Sequence, residues 1–400
     1  MKILFVSDTY YPHLNGVYYF VCRLAPLLRE RRHEVAVLAP SENGHFTRKK
    51  VDSIEVYGIP SVPSFYYPKV RLPIPMLLAA RVNQVLDSFN PDVIHIQDHF
   101  VISRAVVKEN KKRGVPIIGT NHFMPENLTS LLPAGKWRKG LEAKLWLGFA
   151  RVFNQVKVVT TPTETAARLI RPTLKVPVLA VSSGIDLNVF RPRLEKECIR
   201  RKYGIPTRPI LLYVGRLDPE KKLDQALRAA ALALKTADFQ FVLVGRGISR
   251  ASLERQAREL GILEFVTFTG FMPDEDLPDI YTSSRCFIIP STAELLSLAT
   301  LQAMASGLPV IAVNAGALGE LVQDGSNGFL CNSGDIEGMA RCIRELVGND
   351  ELCAGMSAKS LEYVPFHDIQ ATVGVFEGLY KQQGPDSLRA GHPDPVAKVS

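Results

Sequence analysis

The stretch PILLYVGRLDPEKK, residues 209–222, places a short apolar run before a charged turn, and LDQALRAAALAL follows with helical spacing. The same order opens the chain: KILFVSD at 2–8, the turn-rich YYPHLNG at 10–16, and a helical pattern over 17–32. EVAVLAP at 34–40 then reads as the next strand. Because the strand, loop, helix and strand pattern starts both halves, the sequence predicts two domains of one kind.

Further short apolar runs alternate with helical segments in both halves, which is typical of parallel sheets with crossover helices. They are DVIHIQ, PIIGTN, VKVVTTP, FQFVLVGRG, VTFTG, RCFIIP and PVIAV. The predicted fold class is α/β, with two doubly wound, Rossmann-like domains that face each other across a cleft. The predicted bounds of the two domains are 1–185 and 186–365, followed by residues 366–382 and a disordered tail at 383–400.

Length and composition limit the classes of protein that this sequence can belong to. A chain of 400 residues with 46% hydrophobic content is long for one domain. No apolar run approaches the roughly 20 residues of a membrane helix, and Asp8 interrupts the first apolar run, so we expect a cytoplasmic protein. The six cysteines lack the paired spacing of a zinc site or a redox disulfide.

Charge is distributed unevenly along the chain. Residues 1–190 hold 25 Lys or Arg against 14 Asp or Glu, a net +11, whereas residues 191–400 hold 23 against 26, a net −3. A basic half suits nucleic acid, anionic lipid or a phosphorylated ligand, and it also suits ordinary solubility. Charge alone does not choose among them.

Two loops have the composition of a phosphate site. Gly16 stands where the first helix begins, so backbone N–H groups and the helix dipole favour an anion there, although a plain turn explains the pattern equally. Arg216 follows a buried strand and Lys221 comes five residues later, before a helix. Both cations suit a diphosphate, and the alternative is a solvated surface pair with Asp218 and Glu220.

Glu294 is the one charged side chain in PSTAELLSLATLQAMASGLPVIAV, residues 290–313. It follows a strand and precedes a helix predicted over about 296–306. A carboxylate in a first helical turn is stabilised by the helix dipole. The functional alternative is that Glu294 accepts hydrogen bonds from the hydroxyls of a bound polyol.

These motifs together resemble a retaining glycosyltransferase of family 4, which has the GT-B fold, over the sequence up to about residue 382. The family carries a Glu, seven residues, a second Glu and then A-M-A-S-G-x-P-V; here Glu294 leads to QAMASGLPV with Gln302 at the second position. VGRLDPEKK, NAGALGELVQDGSNGFL and the Asn15-Gly16 loop also match. Residues 366–382 resemble the family's closing helix, and the resemblance implies that this helix returns to the first domain.

The resemblance implies roles for single residues. Arg216 and Lys221 would contact the donor diphosphate, Gly16 would approach it from the first domain, and Glu294 would bind the donor sugar. Two further roles are a nucleotide contact at Leu298 and a place for His122, in TNHFMPEN, at the reacting side of the sugar. Taken alone, such a histidine is more often structural.

Gln302 departs from the family, whose Glu at this position holds both ribose hydroxyls. A carboxamide has one oxygen acceptor where a carboxylate has two.

The resemblance also implies retention of configuration without a metal, a cofactor or a side-chain nucleophile. The leaving phosphate then helps to remove the acceptor's proton while Arg216 and Lys221 stabilise its charge. We expect a nucleotide-sugar donor, UDP-hexose rather than GDP-hexose.

The acceptor is indicated by LLPAGKWRKGLEAKLWLGFARVF, residues 131–153, which interleaves basic and aromatic side chains. This pattern suits adsorption to an anionic bilayer, and the alternative is an amphipathic helix packed on its own domain. NHFMPENL is similar to family members that transfer glucose or a related sugar to diacylglycerol. We therefore expect a lipid acceptor, a peripheral place on the inner face of the membrane, and no nucleic acid. The alternatives are a soluble sugar or polysaccharide acceptor, or a silent nucleotide-binding protein because of Gln302.

Overall fold

The computed structural model describes residues 1–10, 16–51, 53–64, 71–122, 137–194 and 197–382, leaving aside the side chains of 137–139 and 197. The chain divides into two compact units. The first contains Met1–Ser183 together with residues 369–382, and the second is Gly184–Asp368. The division falls at 183/184 and 368/369, against the predicted 185/186 and 365/366, and residues 383–400 lie outside the described chain.

The first unit is built on one mostly parallel sheet. Its strands are β1 (Lys2–Val6), β2 (Glu34–Pro40), β3 (Thr47–Val51), β4 (Ile54–Ile59), β7 (Val93–Ile96), β8 (Ile117–Thr120), β9 (Val158–Thr161) and β10 (Val178–Ala180). Their order is β10-β9-β8-β7-β1-β2-β4-β3, and only β3 pairs antiparallel within this sheet. A separate antiparallel hairpin joins β5 (Ser61–Pro63) to β6 (Arg71–Pro73). The central strands are buried on both faces, as their continuous apolar runs require.

The first unit's helices are α1 (Gly16–Glu30), α2 (Pro75–Phe89), α3 (Val101–Glu109), α4 (Trp137–Phe153) and α5 (Glu164–Ile170). Helix α1 buries Phe20, Val21, Leu24 and Leu28 on one face, as 3.6-residue spacing predicts. Pro26 lies inside α1. A proline inside a helix is expected to kink or divide it, but α1 continues through Pro26 as one element.

The second unit has a six-stranded parallel sheet. Its strands are β11 (Ile210–Val214), β12 (Gln240–Val244), β13 (Val266–Gly270), β14 (Cys286–Ile289), β15 (Val310–Val313) and β16 (Gly328–Cys331), in the order β13-β12-β11-β14-β15-β16. Its helices are α6 (Glu197–Tyr203), α7 (Leu223–Ala233), α8 (Arg250–Glu259), α9 (Leu277–Thr282), α10 (Leu298–Ala305), α11 (Leu318–Leu321), α12 (Ile336–Gly348) and α13 (Asp350–Tyr363). Apolar cores lie on both faces of this sheet. Two doubly wound α/β units are therefore present, and the fold-class prediction is confirmed.

The last helix of the described chain, α14 (Ile369–Tyr380), belongs to the first unit. Glu377 accepts hydrogen bonds from Arg31 at 2.9 Å and from His33 at 3.0 Å. The Phe376 ring lies 5.6 Å from that of Phe20. Residues at the two ends of the sequence thus share one core.

Candidate active site

The site residues of the second unit follow from its strand order. From the centre of the sheet, the strands follow the chain order β11, β12, β13 towards one edge and β14, β15, β16 towards the other edge. The neighbouring strands β11 and β14 therefore form a switch point, where ligands of such sheets bind beyond the carboxyl ends. Lys221 and Arg216 lie in the loop after β11, and Glu294 lies in the loop after β14.

Lys221 and Glu294 meet at this switch point. The Lys221 Nζ donates to Glu294 Oε1 at 2.6 Å, and the two side chains are only 16% and 11% exposed. A charge removed from water is costly unless it is paired, so each of these groups depends on the other. The sequence predicted both as site residues, and the neighbouring positions of β11 and β14 bring them together.

Glu294 lies in the loop ahead of α10 and outside its first turn. Helix α10 begins at Leu298, and the N-cap is Ser297, whose hydroxyl accepts from Thr300 N–H at 3.2 Å. The predicted helix start at 296 is too early, and helix-dipole stabilisation in a first turn does not account for Glu294. The backbone carbonyl of Glu294 instead accepts from Ala317 N–H at 3.0 Å. Gly316 permits this approach, because a Cβ there would lie 2.7 Å from that carbonyl oxygen.

Arg216 is in a different environment from Lys221. Its side chain is 68% exposed, and its guanidinium contacts Asp218 and lies 2.5 Å from Glu220. Asp218 and Glu220 are the partners expected if Arg216 belongs to a solvated surface ion pair. Exposed ion pairs of this kind contribute little to stability, so the Arg216 side chain can leave them for an anionic ligand at small cost.

Gln302 lies one turn after Leu298 on α10, and both side chains are half-buried. The Tyr281 hydroxyl donates to Gln302 Oε1 at 3.0 Å. Burial raises the pKa of Tyr281 well above its ordinary value, so this hydroxyl remains a donor. The oxygen of the carboxamide thus already accepts one protein hydrogen bond.

The loops after β12 and β13 contribute a pair of side chains, Arg246 and Phe271, to which the sequence interpretation gave no role. The guanidinium of Arg246, after β12, lies 5.6 Å from the ring of Phe271, after β13. Phe271 is 57% exposed. The repeated V-G-R at 214–216 and 244–246 is the sequence signal that could have indicated Arg246. A flat exposed ring beside a cation suits stacking against a planar, electron-rich group.

In the first unit, His122 follows β8 and contacts Gln97, which follows β7. Gln97 Oε1 accepts from His122 Nε2 at 2.9 Å, while the amide Nε2 of Gln97 donates to the His95 carbonyl at 3.5 Å. Burial lowers the pKa of His122 to about 4, so the ring is neutral at pH 7 with Nδ1 as its acceptor. Gln97 is fully buried and was not predicted; a polar residue ending the apolar run VIHI was its signal.

A pair of carboxyl groups supports this edge of the first sheet. Asp8 accepts from the backbone N–H groups of Ile102 and Ser103 at 2.9 and 3.2 Å, which caps α3, and its own N–H donates to Asp98 at 2.7 Å. Burial raises the pKa of Asp8 well above its ordinary value, and the neighbouring Asp98 raises it further. These contacts hold the loop after β1 against the start of α3.

Gly16 is the first residue of α1 and is exposed. A Cβ at Gly16 would meet no heavy atom within 4 Å among the described residues. Packing in this part of the chain therefore does not require glycine there, and the neighbouring residues 11–15 lie outside the described chain.

The packing of helix α4 differs from part of the sequence interpretation of residues 131–153. Phe149 and Phe153 are fully buried with ring centroids 4.7 Å apart, and Trp146 packs on Phe149 at 5.1 Å. The expectation that these phenylalanines meet a bilayer is wrong, because they form part of the first unit's interior. Leu147 remains exposed, and residues 131–136 lie outside the described chain. Among the described helices, none combines the length and apolarity needed to cross a membrane.

Comparison with known proteins assigns the family. Residues 14–189 match the family model described as Glycosyltransferase Family 4, and residues 195–362 match the model for Glycosyl transferases group 1. The chain is 31% identical over 306 residues to a D-inositol 3-phosphate glycosyltransferase of Thermobispora bispora, covering 73% of this chain and 70% of the relative.

Two further similarities cover more of the chain. An alpha-monoglucosyldiacylglycerol synthase of Streptococcus pneumoniae is 28% identical, over 82% of this chain and 75% of the relative. The solved structure of Anabaena Alr3699/HepE in complex with UDP-glucose has a TM-score of 0.74 at 18% identity, over 96% of this chain and 100% of that one. With two matched family models and the observed α/β units, the chain belongs to glycosyltransferase family 4 and has the GT-B fold.

Proposed function

We propose that this glycosyltransferase moves a hexose from a nucleotide-sugar, UDP-hexose rather than GDP-hexose, to a diacylglycerol-like lipid at a membrane surface, with retention of configuration. The observation that carries the donor half of the proposal is the Lys221–Glu294 pair at the switch point between β11 and β14. It places a cation suited to a phosphate beside a carboxylate suited to sugar hydroxyls.

The charges at this edge fit a sugar diphosphate. Lys221 is held by Glu294, while Arg216 can exchange its exposed partners for phosphate oxygens. Glu294 uses Oε1 for Lys221 and has Oε2 for the sugar hydroxyls. Leu298 and Gln302 of α10 would contact the nucleoside, and the exposed ring of Phe271 would contact its base. The relative solved with UDP-glucose supports this class of donor.

In the proposed reaction the bond between the anomeric carbon and the diphosphate breaks as the acceptor hydroxyl attacks from the same face. A phosphate oxygen of the leaving group takes the hydroxyl proton, so that the nucleotide leaves with that proton. Arg216, Lys221 and the N–H groups at Gly16 would stabilise its negative charge. The neutral imidazole of His122 would contact the sugar near the reacting carbon. We propose that no metal takes part.

The acceptor half rests on different support. One relative is named for a diacylglycerol product, and the first half of the chain carries a net +11. The relative named for D-inositol 3-phosphate favours a second candidate, the same chemistry on a soluble acceptor. The two candidates differ in whether activity depends on lipid vesicles.

The test is mass analysis of lipids after incubating the full chain with anionic vesicles that contain diacylglycerol, a panel of UDP- and GDP-sugars, and EDTA. A lipid that gains one hexose from a UDP-sugar is the expected result, and the anomeric proton coupling of the product reports retention. Omitting the vesicles and supplying sugar phosphates is the control.

Three outcomes contradict parts of the proposal. Nucleotide release with a soluble product overturns the lipid acceptor, and loss of turnover in EDTA overturns the metal-free reaction. Donor binding with neither release nor product identifies a silent binding protein, in which case Gln302 is the first residue to change.

A further inference from the structure

An exposed apolar surface lies on the first unit, on elements that hold none of the residues predicted as a site. It consists of Val62 on β5, Leu72 on β6, and Met76 and Leu77 in the first turn of α2, and we name it the hairpin surface. Val62 and Leu72 are directly paired across the hairpin and are each 47% exposed. Paired residues on antiparallel strands point to the same side, so these two side chains form one apolar patch.

Helix α2 continues this patch. It begins at Pro75, two residues after β6 ends, and Met76 is 92% exposed. Along its solvent side, the exposed residues of the first two turns are apolar: Pro75, Met76, Leu77, Ala79 and Ala80. The exposed residues of its last two turns include Gln84, Asp87 and Ser88. A helix packed only on its own domain normally carries polar residues along its whole solvent side, and this one does so only in its second half.

The charges around the hairpin surface favour an anionic occupant. The 31 residues from 56 to 86 contain three Lys or Arg and no Asp or Glu. The first turn of α2 has no acidic residue, although a helix N-terminus favours one. The guanidinium of Arg81, one turn further along, lies 5.2 Å from the Phe46 ring. Exposed apolar side chains in a stretch of sequence without Asp or Glu suit the boundary between acyl chains and anionic headgroups.

We propose that the hairpin surface is where this protein inserts into an anionic bilayer, with Leu72 and Met76 entering the acyl boundary. This inference rests on the proposed lipid acceptor and specifies the surface through which the enzyme reaches it. It differs from the sequence interpretation, which put membrane contact on 131–153. Among the described side chains of that segment, Phe149 and Phe153 are buried, and the exposed Leu147 lies between the exposed Lys144 and Arg151.

The test is co-sedimentation of the full chain with sucrose-loaded vesicles of phosphatidylglycerol and phosphatidylcholine containing diacylglycerol. The variants are Met76→Gln, the double variant Leu72→Gln with Met76→Gln, and Leu147→Gln for the α4 surface. Leu169→Gln is the matched control, because Leu169 is a 56% exposed leucine on α5 of the same unit. All four change exposed side chains of the first unit, and the thermal unfolding transition by circular dichroism reports that each variant keeps its fold.

We expect Met76→Gln to weaken vesicle binding roughly tenfold and the double variant more, since each side chain loses most of its buried apolar area. Leu147→Gln and Leu169→Gln should change binding less than about twofold, and vesicles of phosphatidylcholine alone should bind more weakly. Unchanged binding of the double variant, or an effect of Leu147→Gln as large, overturns the inference. Dimers of the wild-type chain that Met76→Gln dissociates also overturn it, since a second copy would then cover this surface.

The two proposals fail separately. If the wild-type chain glycosylates lipid while the double variant binds vesicles normally, the lipid acceptor stands and the hairpin surface does not. If the chain makes no glycolipid but binds vesicles through Leu72 and Met76, the surface stands and the acceptor is a different molecule.

Discussion

Single residues at the second unit's switch point carry opposite charges at close range. The Lys221–Glu294 pair is mostly removed from water, and a buried ion pair is weak evidence for stability, because desolvation offsets much of the attraction. A binding role explains the pair better than stability does. In the proposed function, the pair pre-orders a cation for the diphosphate and a carboxylate for the sugar.

Glu294→Gln tests that division of roles. We expect hexose transfer to fall about 100-fold, because the sugar hydroxyls lose a charged acceptor. Affinity for UDP, which has no hexose, should stay the same or rise, since Lys221 keeps more of its positive charge for the phosphates. Kinetics with a UDP-sugar and calorimetry with UDP measure the two effects. Glu254→Gln on α8 is the surface control, and a parallel loss of UDP affinity in Glu294→Gln contradicts the assignment.

Gln302→Glu tests the departure from the family pattern. Tyr281 would still donate to one carboxylate oxygen, and the second oxygen would be available to a ribose hydroxyl. The expected result is a lower KM for the donor, measured at saturating acceptor. A KM that is unchanged or raised would mean that the carboxamide does not weaken ribose binding.

His122 is neutral at pH 7 because it is buried, and Gln97 fixes its orientation. In Gln97→Glu a carboxylate would stabilise the imidazolium and raise the pKa of His122 from about 4 by at least about one unit. Proton NMR of the imidazole measures that pKa, and Gln97→Met is the neutral control. A His122 pKa that stays near 4 in Gln97→Glu would show that the two side chains do not interact in solution.

At the scale of elements, α14 is attached to the turn after α1 by a cluster of charged and polar groups. Glu377 accepts from His33 and Arg31, and Lys381 lies 3.2 Å from the same carboxylate. The His33 hydrogen bond, followed by that of Arg31, lowers the pKa of Glu377 to about 2 from its ordinary 4.5. A carboxyl group whose pKa is lower in the folded protein stabilises it above the ordinary pKa.

The stability of this attachment should therefore depend on pH. Above about pH 5, Glu377→Gln should lower the free energy of unfolding by on the order of 1 kcal/mol, allowing for solvent screening of a group near the surface. The difference from wild type should shrink as pH falls from about 4.5 towards 2 and the wild-type carboxylate gains its proton. Urea unfolding at several pH values measures it, with Glu362→Gln on α13 as control. A difference independent of pH would exclude the ionised form as its cause.

For the whole molecule, the first unit is discontinuous in sequence and the second is continuous. Helix α14 places Val373, Phe376, Leu379 and Tyr380 in the core that contains β1 and α1. The Tyr380 hydroxyl also contacts His95 Nδ1 at 2.8 Å. Removing α14 would expose that core, because no other described helix takes its place against α1.

Expression of the separate segments tests this discontinuity. We expect residues 184–368 to give a cooperative thermal unfolding transition by circular dichroism, since this segment holds a complete six-stranded sheet. Residues 1–183 alone should be unfolded or aggregated, and adding a peptide of residues 366–382 should partly restore the transition. A fully cooperative transition of residues 1–183 alone would contradict the structural importance of α14.

The sequence alone determined the fold class, because apolar runs, turns and helical spacing are local signals. It also predicted the edge at which ligands would bind, because parallel strands share one carboxyl edge. It also pointed to Lys221 and Glu294 one by one. Their contact, across 73 positions of sequence, exists because β11 and β14 are neighbours in the sheet, which no local pattern specifies.

Burial likewise was decided by the tertiary structure. Residues 131–153 have the composition of a helix that adsorbs to a bilayer, yet Phe149 and Phe153 pack inside the first unit. No local pattern predicts that Leu72 and Met76 are exposed, as they are in the structure. The sequence did not predict a role for Gln97, because that role depends on its hydrogen bond with His122, which follows the neighbouring strand of the sheet. The sequence gives the type of each side chain. The neighbours of that side chain depend on how elements distant in sequence pack together, and these neighbours set its solvent exposure and its pKa.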